Sequence, residues 1–160
     1  MQNNKPVCTE NILHITSGEM TANALRKLLP QAEILPFNEA MCEGEAHIEI
    51  FTDEFYLLRS AAYGVELRDY LQKSPGSFMQ NHLKDYHVLY LYFDYDMFCI
   101  INIITLLAFL EQSGYSGQIK LHLLEADGTV AIIDTWPVLL GIYKKMLLQS
   151  LLKTAAVCDW

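Results

Sequence analysis

Four acidic residues carry the clearest chemical potential in this chain. Glu19, Glu39, Asp94 and Asp96 each follow, or nearly follow, a segment that reads as a β-strand. In an open parallel sheet the loops after the strands emerge along one edge, where ligands sit. Carboxylates gathered there would raise one another's pKa, bind a divalent cation or hold a cationic ligand. The competing reading is structural. Asp94 or Asp96 then caps the helix that follows, and Glu19 and Glu39 are solvated.

The turn after the first strand, Ser17-Gly18-Glu19-Met20-Thr21-Ala22-Asn23, is where doubly wound folds bind phosphate. Gly18 would let a ligand approach the backbone. The turn has no Walker lysine and no GxGxxG, and Glu19 would repel a phosphate. A tight turn at Gly18 with a cap from Ser17 or Thr21 explains it as well. Asn102 lies inside an apolar helix, so its amide needs a partner, either a neighbouring turn or a ligand. The five histidines show no zinc spacing, and no Ser–His–Asp or Cys–His triad is favoured locally. The catalytic residues and any cofactor thus stay unknown, and no set of metal ligands is assigned.

The elements that must position these groups follow from hydrophobic periodicity and turn residues. Residues Met1–Glu10 read as a loose tail. Asn11–Thr16 is a first strand, Thr21–Leu29 a helix with Pro30 beyond it, and Ala32–Phe37 a second strand. This start predicts a right-handed βαβ crossover and a parallel sheet. Thr52 can cap a long helix reaching about Gln72, with Asp53 and Glu54 in its first turn. A short helix is expected around Phe78–Lys84. Tyr86–Phe93 is apolar and aromatic on both faces, which suits a central strand covered by helices on both sides. Phe98–Gln112 reads as a buried helix and Gln118–Leu124 as a fourth strand. Asp127-Gly128 offers a hairpin turn into Val130–Asp134, and Pro137 opens a last helix reaching roughly Ala156. The expected fold is one α/β domain, a doubly wound, mostly parallel three-layer sheet of Rossmann-like type with an antiparallel C-terminal hairpin.

Composition bounds the function. Eleven Lys and Arg against nineteen Asp and Glu give a formal charge of −8, a poor footprint for nucleic acid. Hydrophobic residues make up 52% of the chain, enough for a full core. The longest apolar run, Met97–Leu110, is too short to span a bilayer, and no secretory signal is evident. Cys8, Cys42, Cys99 and Cys158 form no CxxC and read as reduced thiols. A cytoplasmic location is therefore expected. The last helix is apolar around more than one packing face needs, which fits burial on two sides or a homodimer through that helix.

Three segments, in order, carry a resemblance: Leu13-His14-Ile15 with Gly18-Glu19-Met20-Thr21-Ala22 and Leu25; Phe37-Asn38-Glu39-Ala40-Met41-Cys42-Glu43-Gly44; and Tyr92-Phe93-Asp94-Tyr95-Asp96-Met97-Phe98-Cys99 followed by Asn102. Together they resemble the bacterial domain of unknown function 1835 family over about Ile12 to Leu124. Arg59 sits where that family usually has an Arg. The resemblance implies a cytoplasmic α/β domain without an established activity. Glu19-Met20 stand where the family has Asp-Ser, Asn23 where it has a second glycine, and Gly44-Glu45 where it has Gly-Pro. Asp96, which matches the family pattern, is the best single site candidate. Two functions follow. The first is a binding or regulatory module with a small-ligand crevice at the strand C-termini. The second is an enzyme acting on a small cationic or metal-bound substrate with Asp96, Glu39 and Glu19 as ligands or general acid/base.

Overall fold

The computed structural model describes residues 11–124 and 130–133. Five strands form one sheet in the order β2-β1-β3-β4-β5. They are β1 (Ile12–Thr16), β2 (Glu33–Pro36), β3 (Val88–Asp94), β4 (Gln118–Leu124) and β5 (Val130–Ile133). The first four run parallel, and β5 pairs antiparallel with β4. Tyr86–Phe93 thus supplies the central strand, and the last strand returns antiparallel as expected, while the turn expected at Asp127-Gly128 lies outside the described residues. The chain moves from β1 outward to β2, then back past β1 to β3, so the order switches between β1 and β3. Right-handed crossovers in opposite directions put α1 (Glu19–Leu28) on one face and the later helices on the other. The fold is α/β and doubly wound.

Strand alternation sorts the two faces. Leu13, Ile15, Leu89, Leu91, Phe93, Ile119, Leu121 and Leu123 point into the main core. Helices α2 (Asp53–Tyr63), α3 (Leu67–Leu71), α4 (Gly76–His82) and α5 (Met97–Gln112) contribute to that core, which a 3-10 turn at Leu83–Asp85 completes. Its middle is aromatic. Phe51 lies edge-on to Phe55 at 5.4 Å and to Phe109 at 4.9 Å, between ring centroids, and Phe37 meets both Phe51 and Phe93 at 6.3 Å. On the opposite face His14, Tyr90, Tyr92 and His122 are only half-buried. Among the described residues that second face carries α1 against β1 and β2 and leaves β3 only partly covered.

One expected helix is two. Thr52 does cap α2, its hydroxyl accepting from Phe55 N–H at 3.3 Å. The helix stops at Gly64, which adopts φ 63 and closes it with a left-handed cap. Helix α3 then starts afresh, so the run to Gln72 is interrupted by the glycine that the periodicity argument overlooked. No helix among the described residues is long and apolar enough to cross a membrane. The segments for which a loose tail and a last helix with a homodimer surface were expected lie outside the described residues.

Candidate functional site

The carboxylates separate into distinct environments. Glu39 follows β2 and is buried, with its side chain fully out of solvent. Its Oε1 accepts from Tyr70 Oη at 2.5 Å and from Ser74 Oγ at 3.3 Å, and its Oε2 accepts from Tyr63 Oη at 3.5 Å. Arg59 Nε stands 3.8 Å from Oε2, a salt bridge too long for a hydrogen bond. Desolvation raises the Glu39 pKa above its ordinary value, against the opposing pull of Tyr70, Arg59, Ser74 and Tyr63. The expected lift of a carboxylate pKa is present, but its largest cause is burial rather than repulsion by a second carboxylate.

Arg59 and Asn102 explain why Glu39 sits where it does. Arg59 projects from α2 and is completely buried. Its guanidinium donates to the carbonyls of Glu43 at 2.5 Å, Glu45 at 3.2 Å and Ala40 at 2.9 Å. Asn102 of α5 accepts from Met41 N–H at 3.1 Å and donates to the Glu39 carbonyl at 2.6 Å. The amide in the apolar helix thus satisfies a neighbouring loop. Together the two side chains hold residues 39–45 against the helices without regular secondary structure. Gly44 is required there. It has φ 68, and a Cβ would lie 2.3 Å from the Ala62 Cβ.

A cavity of about 240 Å3 lies beside this network, lined by Asn38, Tyr63, Val65, Tyr70, Ser74 and the oppositely charged pair Asp69 and Lys73. The tyrosine rings stack at 5.8 Å, and Arg59 lies 5.1 Å from the Tyr63 ring centre. The three hydroxyls that hold Glu39 are therefore also walls of the cavity. Burial drives the Tyr63 and Tyr70 phenols above their ordinary pKa, and the neighbouring Glu39 adds to this, so both remain proton donors at neutral pH.

Asp94, Asp96 and Cys99 form a second group, their ligand atoms within 4.8 Å of one another. Such a set can hold a metal ion, with one feature against it. Asp96 is the N-cap of α5, accepting from Cys99 N–H at 2.8 Å. With no ion bound, burial and then the carboxylates of Asp96 and Asp94 push the Cys99 thiol up to about 11, so it is protonated at neutral pH. Glu19 belongs to neither group. It is exposed on α1 and pairs with Arg26 at 2.7 Å. Glu19, Glu39 and Asp96 thus engage three different sets of partners.

Gly18 is the N-cap of α1 in extended backbone, with φ 173 and no side-chain cap. Ser17 and Thr21 bond each other at 3.1 Å rather than capping the helix, a correction to the expected cap. Around this turn and the start of α5, Met20 and Met97 are strongly exposed, at 87% and 71%.

Sequence reasoning placed Glu39 and Asn102 among the candidates but missed Tyr63, Tyr70 and Ser74. A signal was present. Arg59 sits among apolar helical neighbours, and a cation in a core requires partners nearby. No family model, no curated protein and no solved structure matches the chain.

Proposed function

We propose that the protein is a cytoplasmic binding or regulatory module whose small polar ligand occupies the cavity beside Glu39. The observation that carries this reading is the doubling of roles at the cavity wall. Tyr63, Tyr70 and Ser74 both line the space and hold the buried carboxylate. A buried charge set next to an open space is costly unless its hydrogen bonds are completed, and it recognises a donor strongly. The cavity, of about 240 Å3, is below the usual range for drug-sized ligands, so the ligand is small. The free thiols of Cys42 and Cys99 fit a reducing compartment.

An NMR titration tests the reading, using primary amines and polyols from glycerol to hexose size. The expected result is saturable shifts at Asn38, Tyr63, Tyr70 and Ser74 that Glu39→Gln weakens. If no member of the panel moves these resonances, the reading fails. The second reading, an enzyme with a carboxylate cluster, draws on the Asp94–Asp96–Cys99 group. A divalent cation that broadens or shifts those three residues, and loses that effect in Asp94→Asn, would favour it instead.

A further inference from the structure

A larger cavity, of about 770 Å3, opens at the opposite edge of the sheet, where the parallel strands begin. It lies far from the strand C-termini where doubly wound folds usually bind ligands. Its construction nevertheless has a consistent chemistry. Ile12 and His14 of β1 and Tyr90 of β3 contribute to it from the sheet. The end of α1 and the turn after it contribute Leu28, Leu29 and Pro30, while Glu33, Asp85 and Tyr86 are among its polar groups, with Asn11 and Gln31.

Four observations point to one kind of occupant. The first is charge. Of the lining residues Glu33 and Asp85 are acidic, and none is Lys or Arg. Both carboxylates are exposed, so they attract a cation without a buried-charge penalty. The second is the helix terminus. Helix α1 ends at Leu28, and the carbonyls of a helix C-terminus carry partial negative charge. The third is the ring array. His14 lies 5.2 Å from Tyr90 at 15° and 5.8 Å from Tyr92 at 18°, and the two tyrosines are 6.4 Å apart at 18°. A flat ring laid parallel to these extends the stack. The structure already sets one cation against this array, with Lys120 Nζ 5.4 Å from the Tyr90 centre. The fourth is apolar surface left in water. Leu28 is 76% exposed on the cavity wall and Leu29 39%, an area that an apolar body would cover.

We propose that this cavity binds a small planar cation, an aromatic or heteroaromatic ring carrying an ammonium or guanidinium group. The ring stacks along His14 and Tyr90 and covers the leucines, while the cationic group faces Glu33 and Asp85. This site is separate from the Glu39 cavity in position and residues, so either can fail without the other.

The test is calorimetric and NMR titration of the full chain with three probes that share one ring: tryptamine, indole and indole-3-acetate. Tryptamine is expected to bind about two- to fivefold tighter than indole, the size of one exposed ion pair, and indole-3-acetate weakest of the three. Resonances of His14, Leu28 and Tyr90 should move, and those of Tyr70 and Ser74 should not. Glu33→Gln and Asp85→Asn alter exposed side chains and should preserve folding. Each should bring tryptamine towards the affinity of indole and leave indole unchanged. Tyr90→Leu should weaken all three probes. The proposal is overturned if indole-3-acetate binds as well as tryptamine, or if the shifts fall outside the cavity. It is equally overturned if the full chain binds no probe while a chain lacking residues 1–10 does, because the cavity then belongs to the segment that continues from Asn11.

Discussion

Arg59→Met removes a cation from the core while keeping most of its length, and its cost can be worked from the contacts. Three carbonyls, of Ala40, Glu43 and Glu45, lose their donor. At roughly 0.5–1 kcal/mol for each bond this amounts to about 1.5–3 kcal/mol. Glu39 then remains buried without its cation 3.8 Å away. Breaking a buried pair costs about 3–5 kcal/mol. Glu39 has an escape, which is to take up a proton. From an ordinary pKa of 4.5, protonation at pH 7 costs at most about 3.4 kcal/mol. The charge contribution is therefore capped near that value at pH 7 and near about 0.7 kcal/mol at pH 5. Arg59→Met should lose about 4–6 kcal/mol at pH 7, a fall in Tm of roughly 10–20 °C for a chain of this size. The loss should shrink by up to about 2.7 kcal/mol at pH 5. Urea unfolding followed by far-UV circular dichroism at both pH values measures it. In the Glu39→Gln background the pH dependence of the loss should vanish. A loss that is the same at pH 5 and pH 7 would refute the assignment of Glu39 as the ionised partner.

Three further outcomes follow from single side chains. Burial raises the folded pKa of Glu39 above its unfolded value, so the folded state holds the proton more tightly and its stability falls as pH rises upward from about 4.5. Glu39→Gln should flatten that slope in a stability-versus-pH series; an unchanged slope would remove Glu39 from the account. Asp96→Asn should be nearly neutral and Asp96→Ala should cost about 1 kcal/mol by thermal melt, because the Asp96 side chain accepts from Cys99 N–H as an N-cap. Equal losses would mean that the carboxylate charge matters beyond the cap. Gly44→Ala adds a Cβ 2.3 Å from Ala62 at φ 68, and should cost about 2 kcal/mol or more. A loss below about 0.5 kcal/mol, typical of a surface change, would show that the loop shifts freely.

The strands were legible because they advertise themselves by composition. Gln118–Leu124 has the same bounds in sequence and structure, and Tyr86–Phe93 begins two residues before β3. The parallel core, the central place of Tyr86–Phe93 and the antiparallel last strand also followed from the βαβ start and the turn residues, whereas the strand order itself was not read. Helix α2 was less legible because its periodicity continues past Gly64 into Leu67 and Tyr70, and periodicity does not register a single left-handed residue. The site was half legible for a similar reason. Position after a strand marked Glu39 as a ligand candidate, with a solvated carboxylate as the alternative that its burial overturns, and the apolar run around Asn102 marked an amide in need of a partner. Local spacing could not indicate that Tyr70 and Ser74 lie against Glu39, 31 and 35 residues further along the chain. That contact is made only once α3 folds back on the loop after β2. Asp96 illustrates the opposite case. Its position before an apolar helix already implied a cap, and the structure shows one.

The geometry around Glu39 also limits what can enter the cavity beside it. Any group that displaces the Tyr70 hydroxyl from Oε1 must replace a hydrogen bond of 2.5 Å to a buried carboxylate. Bonds to charged groups are worth about 1.5–3 kcal/mol, and leaving the acceptor unsatisfied costs at least as much. An apolar ligand therefore cannot take that place, and an anion would face the carboxylate directly. An ammonium or hydroxyl donor can replace the bond, while Asp69 and Lys73 in the same wall offset one another. A ligand that leaves Tyr70 in place has a weaker requirement, since the cavity then offers the tyrosine faces, Ser74 and Lys73. The two modes separate in one variant. Tyr70→Phe deletes the hydroxyl and leaves Glu39 short of a donor. A displacing ligand should bind that variant more tightly by up to about 1.5–3 kcal/mol, because it no longer competes for Oε1. A ligand that only rests against the ring should bind it unchanged. Tyr70→Phe should itself destabilise the unliganded protein by a similar amount, so comparing its melting temperature with and without ligand measures both quantities together.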